Sequence, residues 1–351
     1  MTHSAGTIEV REAHRVDEPR LQQWLEQHIV GFAGPLQIRQ FSGGQSNPTY
    51  QLITPGATYV LRRKPPGQLL KGAHAVDREA RVMQALATTG FPVPRVHQLC
   101  TDDAVIGSWF FVMDFAAGRT FWNASLPEVD RATRPHYYAA MNTTLAQLHA
   151  VDYKSIGLED YGRPGNYFQR QIARWSKQYL GDVDAGRDVN LDRLIEWLPA
   201  HIPPGDDCSV VHGDFRLDNM IFHPTEPRII AVLDWELSTL GHPLADFAYH
   251  LMMYRMPPTT LAGLIGIDLV AANIPVEAEY VAAYCRRTGR AGIENLDFYL
   301  AFNFFRFAAI VHGIKGRMTR GSAASANAAD LVKSLPLFAE LGWKQALEQG
   351  S

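Results

Sequence analysis

Apolar and polar residues change period along this chain, and the change divides it in two. Residues 17 to 30 carry apolar positions at helical spacing. The stretch "PLQIRQFSGGQSNPTYQLITPGATYVLRRK" then alternates strand-like runs with Gly, Pro and Asn turn signals, which predicts a small antiparallel sheet. "DREARVMQALATTG" predicts a helix with Asp77 as N-cap and Gly90 as its stop, and "SWFFVMDFAAG" a further strand that ends at Gly118. Beyond about residue 115 the period turns helical, with helices expected over 128–152, 166–181, 190–200, 243–255, 276–289, 295–318 and 325–349.

Two segments interrupt the helical part. "SVVHGDFRLDNMIF", residues 209 to 222, sets His212, Asp214, Arg216, Asp218 and Asn219 between apolar runs. "IIAVLDWELSTLGHPLADFAYHL", residues 229 to 251, ends an apolar run on Asp234. Apolar flanks draw a segment toward the core, where its polar atoms must find partners, so both polar knots are expected at strand ends. No internal repeat and no Pro/Gly/Ser-rich tether is present, so two lobes, residues 1–115 and 116–351, are expected with a short hinge and a cleft between them.

Composition narrows the class. A chain of 351 residues exceeds the size at which one core keeps growing, and 46% hydrophobic with 20% charged residues suits a folded enzyme. A formal net charge of -3 gives no global reason to expect nucleic acid or an anionic membrane as partner. Cys100, Cys208 and Cys285 are odd in number and lack CxxC spacing, which points to a reducing, cytoplasmic setting. The start, "MTHSAGTIEVREAHRVDEPR", lacks a secretory pattern. The apolar "FYLAFNFFRFAAIVHGI" is interrupted by Asn303, Arg306 and His312 and reads as a buried bundle helix.

Asp214 and Asn219 have the spacing D-x-x-x-x-N, which sets a carboxylate and an amide oxygen around one tight loop. Phosphoryl transfer needs a group to position the attacking hydroxyl and hard oxygen ligands for Mg²⁺, and Asp234 would complete that set. For D-x-x-x-x-N alone, a capped turn is the commoner meaning; His212, Gly213 and Asp234 together shift the balance. A rival reading takes His212, Asp214, His223, Asp234 and His242 as transition-metal ligands of a hydrolase, but no HxH or HExxH stretch accompanies them.

"VVHGDFRLDNMIF" and "VLDWE" resemble the H-G-D-x-x-x-x-N and I-D-W motifs of aminoglycoside phosphotransferase and choline kinase-like enzymes. The resemblance implies an α+β, bilobal protein-kinase-like fold. Residues 1–115 would form a small antiparallel-sheet, nucleotide-binding lobe, and 116–351 a mainly helical lobe for catalysis and substrate. It implies ATP and Mg²⁺ as cofactors, Asp214 as catalytic base with His212 steadying its loop, and Asn219 and Asp234 as Mg²⁺ ligands.

Glu79 would share a helix face with Val82, Met83 and Leu86, and a carboxylate on a buried face needs a cation. Arg62 best matches the family position, where many relatives have Lys; Lys64 faces the same side and stays an alternative. Gly43 and Gly44 of "FSGGQSNPTY", with Ser46 and Asn47 weaker candidates, could cover phosphates, or form an ordinary hairpin turn. In "FFVMDFAAG", backbone groups of Asp114 and Ala116 would receive adenine with Met113 guarding the pocket; a plain core strand is the alternative. Asp246 matches a family acid expected to tie loops together.

The acceptor is expected to be a hydroxyl-bearing small molecule. "YVLRRKPPGQLLKGAHAVDREARVM" and the stretch from His212 to Met252 resemble the kinase-like domain fused to acyl-CoA dehydrogenases and its free-standing bacterial relatives, which implies a hydroxyacyl-CoA. The late helix, with His312, Lys315, Arg317 and Arg320, is read as favouring an anionic over an aminoglycoside substrate, and Arg216, Trp235 and Glu236 are further substrate-side candidates. An aminoglycoside phosphotransferase and a catalytically silent nucleotide-binding protein are the competing functions. The oligomeric state has no trace in the sequence.

Overall fold

The structure, a computed structural model, describes residues 6–42, 47–65, 74–260, 262–321 and 326–348. The chain forms two compact units. One comprises Met1–Phe121, Asp152–Tyr161 and Arg216–Ser238, the other Trp122–Val151, Gly162–Phe215 and Thr239–Ser351.

The first unit is built on a six-stranded antiparallel sheet of order β1-β2-β3-β4-β6-β5. Its strands are β1 (Thr7–Ile8), β2 (Gln37–Phe41), β3 (Thr49–Ile53), β4 (Thr58–Arg63), β5 (Val96–Cys100) and β6 (Phe110–Asp114). Helix α1 (Glu18–His28) starts where Asp17 accepts a hydrogen bond from the Arg20 amide, satisfying an otherwise orphaned donor. Its Leu21 and Leu25 bury against Tyr50, Leu52, Tyr59 and Leu61, and each such side chain removed from water contributes about 1.5–3 kcal/mol. Strand β4 pairs on both edges and is buried on both faces, and the period of two turns Val60 and Arg62 onto the face opposite Tyr59 and Leu61.

Helix α2 (Val76–Ala87) carries Glu79. Its N-cap is Ala75 rather than Asp77, which sits inside the first turn where the helix dipole favours an acid. Gly90, with φ 77°, takes the left-handed turn that follows the helix, and α3 (Asp103–Ile106) is a single turn. The hairpin β8 (Met220–Phe222) with β9 (Ile229–Val232) belongs to the same unit. Strand β6 ends at Asp114, short of the expected Gly118; Gly118 instead passes so close to this hairpin that a Cβ would lie 2.2 Å from the Phe222 carbonyl oxygen.

The second unit is helical apart from the paired strands β7 (Ser209–Val211) and β10 (Thr239–Gly241). Its helices are α4 (Arg134–Ala150), α5 (Tyr167–Gly181), α6 (Val189–Ala200), α7 (Pro243–Leu251), α8 (Leu269–Ala272), α9 (Glu277–Thr288), α10 (Leu296–Thr319), α11 (Ala326–Lys333) and α12 (Leu335–Glu348). The single helix expected over 325–349 is two, because Pro336 cannot donate its missing N–H to a continuing ladder. The helix expected to reach 255 tightens into a 3₁₀ turn after Leu251. Helix α10 is the buried bundle helix: Asn303 donates to the Ala245 and Tyr299 carbonyls and Arg306 to the Gly213 carbonyl. Among the described residues no helix is long and apolar enough to cross a membrane.

Candidate active site

In the first unit, Arg62 leaves β4 into a nest of acids. Its Nε lies 2.9 Å from Glu79 Oε2 and its Nη2 is 2.7 Å from Asp234 Oδ1 and 3.8 Å from Glu236 Oε2. The Glu79 side chain is 2% exposed, and its second oxygen accepts a hydrogen bond from Asn47 Nδ2 at 3.0 Å. Asn47, fully buried, also bonds His74 through its side-chain oxygen. Lys64 goes elsewhere, 3.6 Å from Asp77 and over the Trp109 ring. Arg62 is therefore the cation that meets Glu79.

Three carboxylates share this one guanidinium. Burial raises Glu79 to about 7 against the pull of Arg62, and the charges of Asp234 and Glu236 push the same way. Burial opposes the Arg62 charge, but Glu79, Asp234 and Glu236 together hold its pKa above the ordinary arginine value. We take the pair as ionised, with the surplus negative charge expressed on Glu79.

Asn219 and Asp234 come together through the hairpin register. Met220 pairs with Val232 and the Leu233 amide donates to the Asn219 carbonyl at 2.8 Å, so the two residues leave adjacent strand ends. Asp234 takes φ 65°, a left-handed conformation that a non-glycine residue adopts only under constraint. Its side chain keeps 34% exposure. The hairpin backbone thus brings an asparagine and an aspartate to neighbouring positions, and the amide and carboxylate oxygens they carry are the hard donors that Mg²⁺ takes.

In the second unit, the loop after β7 presents Asp214. The Asp214 carboxylate accepts from the Tyr249 hydroxyl, and its amide donates to His212 Nδ1 at 3.2 Å. His212 is fully buried, so its ring braces the loop from inside. Asp246 holds the loop from below: its carboxylate accepts from the His212 amide at 2.7 Å, the Gly213 amide at 2.8 Å and His149 Nε2 at 3.3 Å. Burial alone would raise Asp246; the bond from His149 and the His212 amide outweigh it and hold the carboxyl below its usual range. Gly213 sits at φ 82° and gives its carbonyl to Arg306, whose guanidinium also faces the Tyr249 ring.

Several expected site residues lie elsewhere. Trp235 is 1% exposed, donates its indole N–H to the Val232 carbonyl and meets Phe91 edge to face, so it is a core residue and not a substrate contact. His312 is 1% exposed, bonded to the Gly186 carbonyl and set edge to face against Tyr179, so it too faces the interior. Arg320 pairs with Asp182 and Asp184, which removes much of the late helix's case for an anionic substrate. Arg216 bonds Asp218, and Glu236 joins the acids around Arg62. Met113 is buried in β6, and the Asp114 amide donates to the Arg95 carbonyl while its side chain meets His97. Ala116 follows β6 in irregular backbone. Gly43, Gly44 and Ser46 lie outside the described residues.

Tyr249, Arg306 and His149 were not among the expected site residues, although Arg306 stood out as a charge within an apolar helix. Their one signal was charge or polarity inside otherwise apolar helices.

Known proteins resemble this chain in sequence and fold. Residues 37–299 match the Phosphotransferase enzyme family. Acyl-CoA dehydrogenase family member 11 of Gallus gallus is 45% identical over 354 residues, an alignment covering 97% of this chain and 45% of that protein. The chain thus spans less than half the length of the curated relatives it matches. A crystal structure from Ralstonia eutropha, of a protein assigned only provisionally as an aminoglycoside phosphotransferase, superposes with TM-score 0.87 at 50% identity, over 96% of this chain and 100% of that one. A ternary complex of a thermostable mutant of aminoglycoside phosphotransferase APH(4)-Ia with AMP-PNP and hygromycin B shares the fold alone, at TM-score 0.62 and 15% identity over 94% of this chain and 99% of that one. The sheet with its Arg62–Glu79 pair and the loop carrying Asp214 are thus parts of a kinase-like α+β fold, and the chain belongs to the phosphotransferase enzyme family.

Proposed function

We propose that this phosphotransferase is an ATP- and Mg²⁺-dependent kinase that moves the γ-phosphoryl group to a hydroxyl of a small metabolite, with hydroxyacyl-CoAs the acceptor class. The observation that carries the reading is the Arg62 guanidinium spanning Glu79 and Asp234, a cation held rigidly beside hard-oxygen ligands. Asn219 and Asp234 would hold Mg²⁺, which when bound offsets charge on the phosphoryl oxygens. Arg62 would grip a phosphate with its planar fork. Asp214, aligned by Tyr249 and by the Asp246-anchored loop, would orient the acceptor hydroxyl and take its proton as the bond to phosphorus forms. Met113, Asp114 and Ala116 would receive the adenine as part of a nucleotide-binding lobe over 1–115, with 116–351 as the catalytic lobe of a cytoplasmic enzyme.

The acyl-CoA acceptor draws support from the relatives named for acyl-CoA dehydrogenase, and the aminoglycoside alternative from the provisional assignment of the Ralstonia protein. ADP release over hydroxyacyl-CoAs, choline-like alcohols, sugars and aminoglycosides decides between them. Asp214→Asn should lower kcat by roughly 10²–10⁴-fold while nucleotide still binds. Equal turnover by the variant refutes the assigned base, and nucleotide binding without acceptor-dependent ADP release identifies a silent binder.

A further inference from the structure

We propose that Arg62 is an internal stand-in cation that keeps Asp234 occupied until nucleotide arrives, so that a divalent metal binds with the nucleotide and not before it. The inference rests on Asp234 being a metal ligand. The Arg62 side chain is 10% exposed and touches two acids at once, with Nε on Glu79 and Nη2 on Asp234 Oδ1 at 2.7 Å. Glu79 is fixed in turn by Asn47, so the guanidinium is anchored at one end and closes over Asp234 with the other.

The residue type matters. A guanidinium stays charged and holds each acid through a separate nitrogen in one plane, Nε on Glu79 and Nη2 on Asp234, whereas an ammonium concentrates its donors on one nitrogen and lacks that second, outlying edge. Asp234 therefore gives one of its oxygens to Arg62. Phosphate oxygens are the natural competitor for a planar fork of donors, and once they take Nη2 the Asp234 oxygen is released in the same step. Glu236, 3.8 Å from Nη2, leaves the cluster with three carboxylates for one cation, so the released site still attracts positive charge.

The test is Mn²⁺ binding to the full chain without nucleotide, read by electron paramagnetic resonance or calorimetry. Arg62→Lys keeps a cation for Glu79 but removes the Nη2 edge that holds Asp234, and should bind Mn²⁺ about ten-fold or more tighter than wild type, the worth of one charge-assisted hydrogen bond. Because a single substitution beside buried Glu79 can unfold the unit, Arg62→Met with Glu79→Met removes both charges and should show the same gain. Asp234→Asn placed on Arg62→Lys should abolish it. Folded variants that bind Mn²⁺ no tighter than wild type overturn the proposal, as does a gain that survives Asp234→Asn. If wild type fails to bind AMP-PNP, the kinase reading falls, while the metal-only comparison still decides the role of Arg62.

Discussion

Asp246→Asn should destabilise the second unit by about 3 kcal/mol at neutral pH, although it changes one atom type in a side chain that never meets solvent. In the native protein the carboxylate is acceptor only and receives three donors: two backbone amides and the His149 imidazole. An asparagine has one oxygen, so its amide nitrogen must point at another donor. Losing a hydrogen bond to a charged group costs about 1.5–3 kcal/mol, and stranding a buried donor adds about 1–3 more. Relief from burying a charge returns part of this, which leaves the stated net.

Denaturant unfolding followed by tryptophan fluorescence measures the loss. The pH dependence supplies a signature. Asp246 has its folded pKa below the unfolded 3.8, so its contribution is full above 3.8 and lost as pH falls through the lower folded value. Wild type and variant should therefore differ most near neutrality and converge in acid. The Asp214 loop should also lose its alignment, so kcat falls with stability. A variant within about 1 kcal/mol of wild type at pH 7 would refute the account of Asp246 as the loop's anchor.

Glu79→Gln should flatten the stability profile between about pH 4.5 and 7, because an acid whose pKa rises from 4.5 to about 7 on folding makes the wild type lose stability as pH rises through that window; parallel wild-type and variant profiles over that range count against it. Trp235→Ala should cost about 3–5 kcal/mol as a core deletion with acceptor KM unchanged, and a raised KM at unchanged stability would put Trp235 back beside the substrate.

What the sequence revealed was governed by local chemistry. The match to the family position singled out Arg62 while the period of two left Lys64 open on the same side, and the apolar flanks of 209–222 and 229–234 put both polar knots at strand ends, where β7, β8 and β9 carry them. Substrate-side residues were harder because neighbours in sequence need not share a direction. Trp235 follows Asp234 directly, yet the left-handed turn at Asp234 sends the carboxylate toward Arg62 and the indole into the core. Tyr249, Arg306 and His149 act on the Asp214 loop from α7, α10 and α4, and no local pattern announces a contact across that many residues. Arg306 left the clearest trace, since a guanidinium in an apolar helix must find acceptors.

The two units handle charge differently, and the difference bears on what each does. Around Asp214 nearly every buried polar group is matched: Asp246 by two amides and His149, the Gly213 carbonyl by Arg306, and the Asp214 carboxylate by Tyr249. Matched groups specify one geometry, which suits a residue that must present a carboxylate in a fixed direction. Around Arg62 the account is left open, with three carboxylates on one guanidinium, Glu79 raised to about 7 and Asp234 in a strained backbone conformation. Unbalanced charge and strain oppose folding, and they persist where the surrounding structure imposes them and a ligand of opposite charge can relieve them. The proposed roles match this contrast, with cation binding at the Arg62 cluster and positioning at the Asp214 loop.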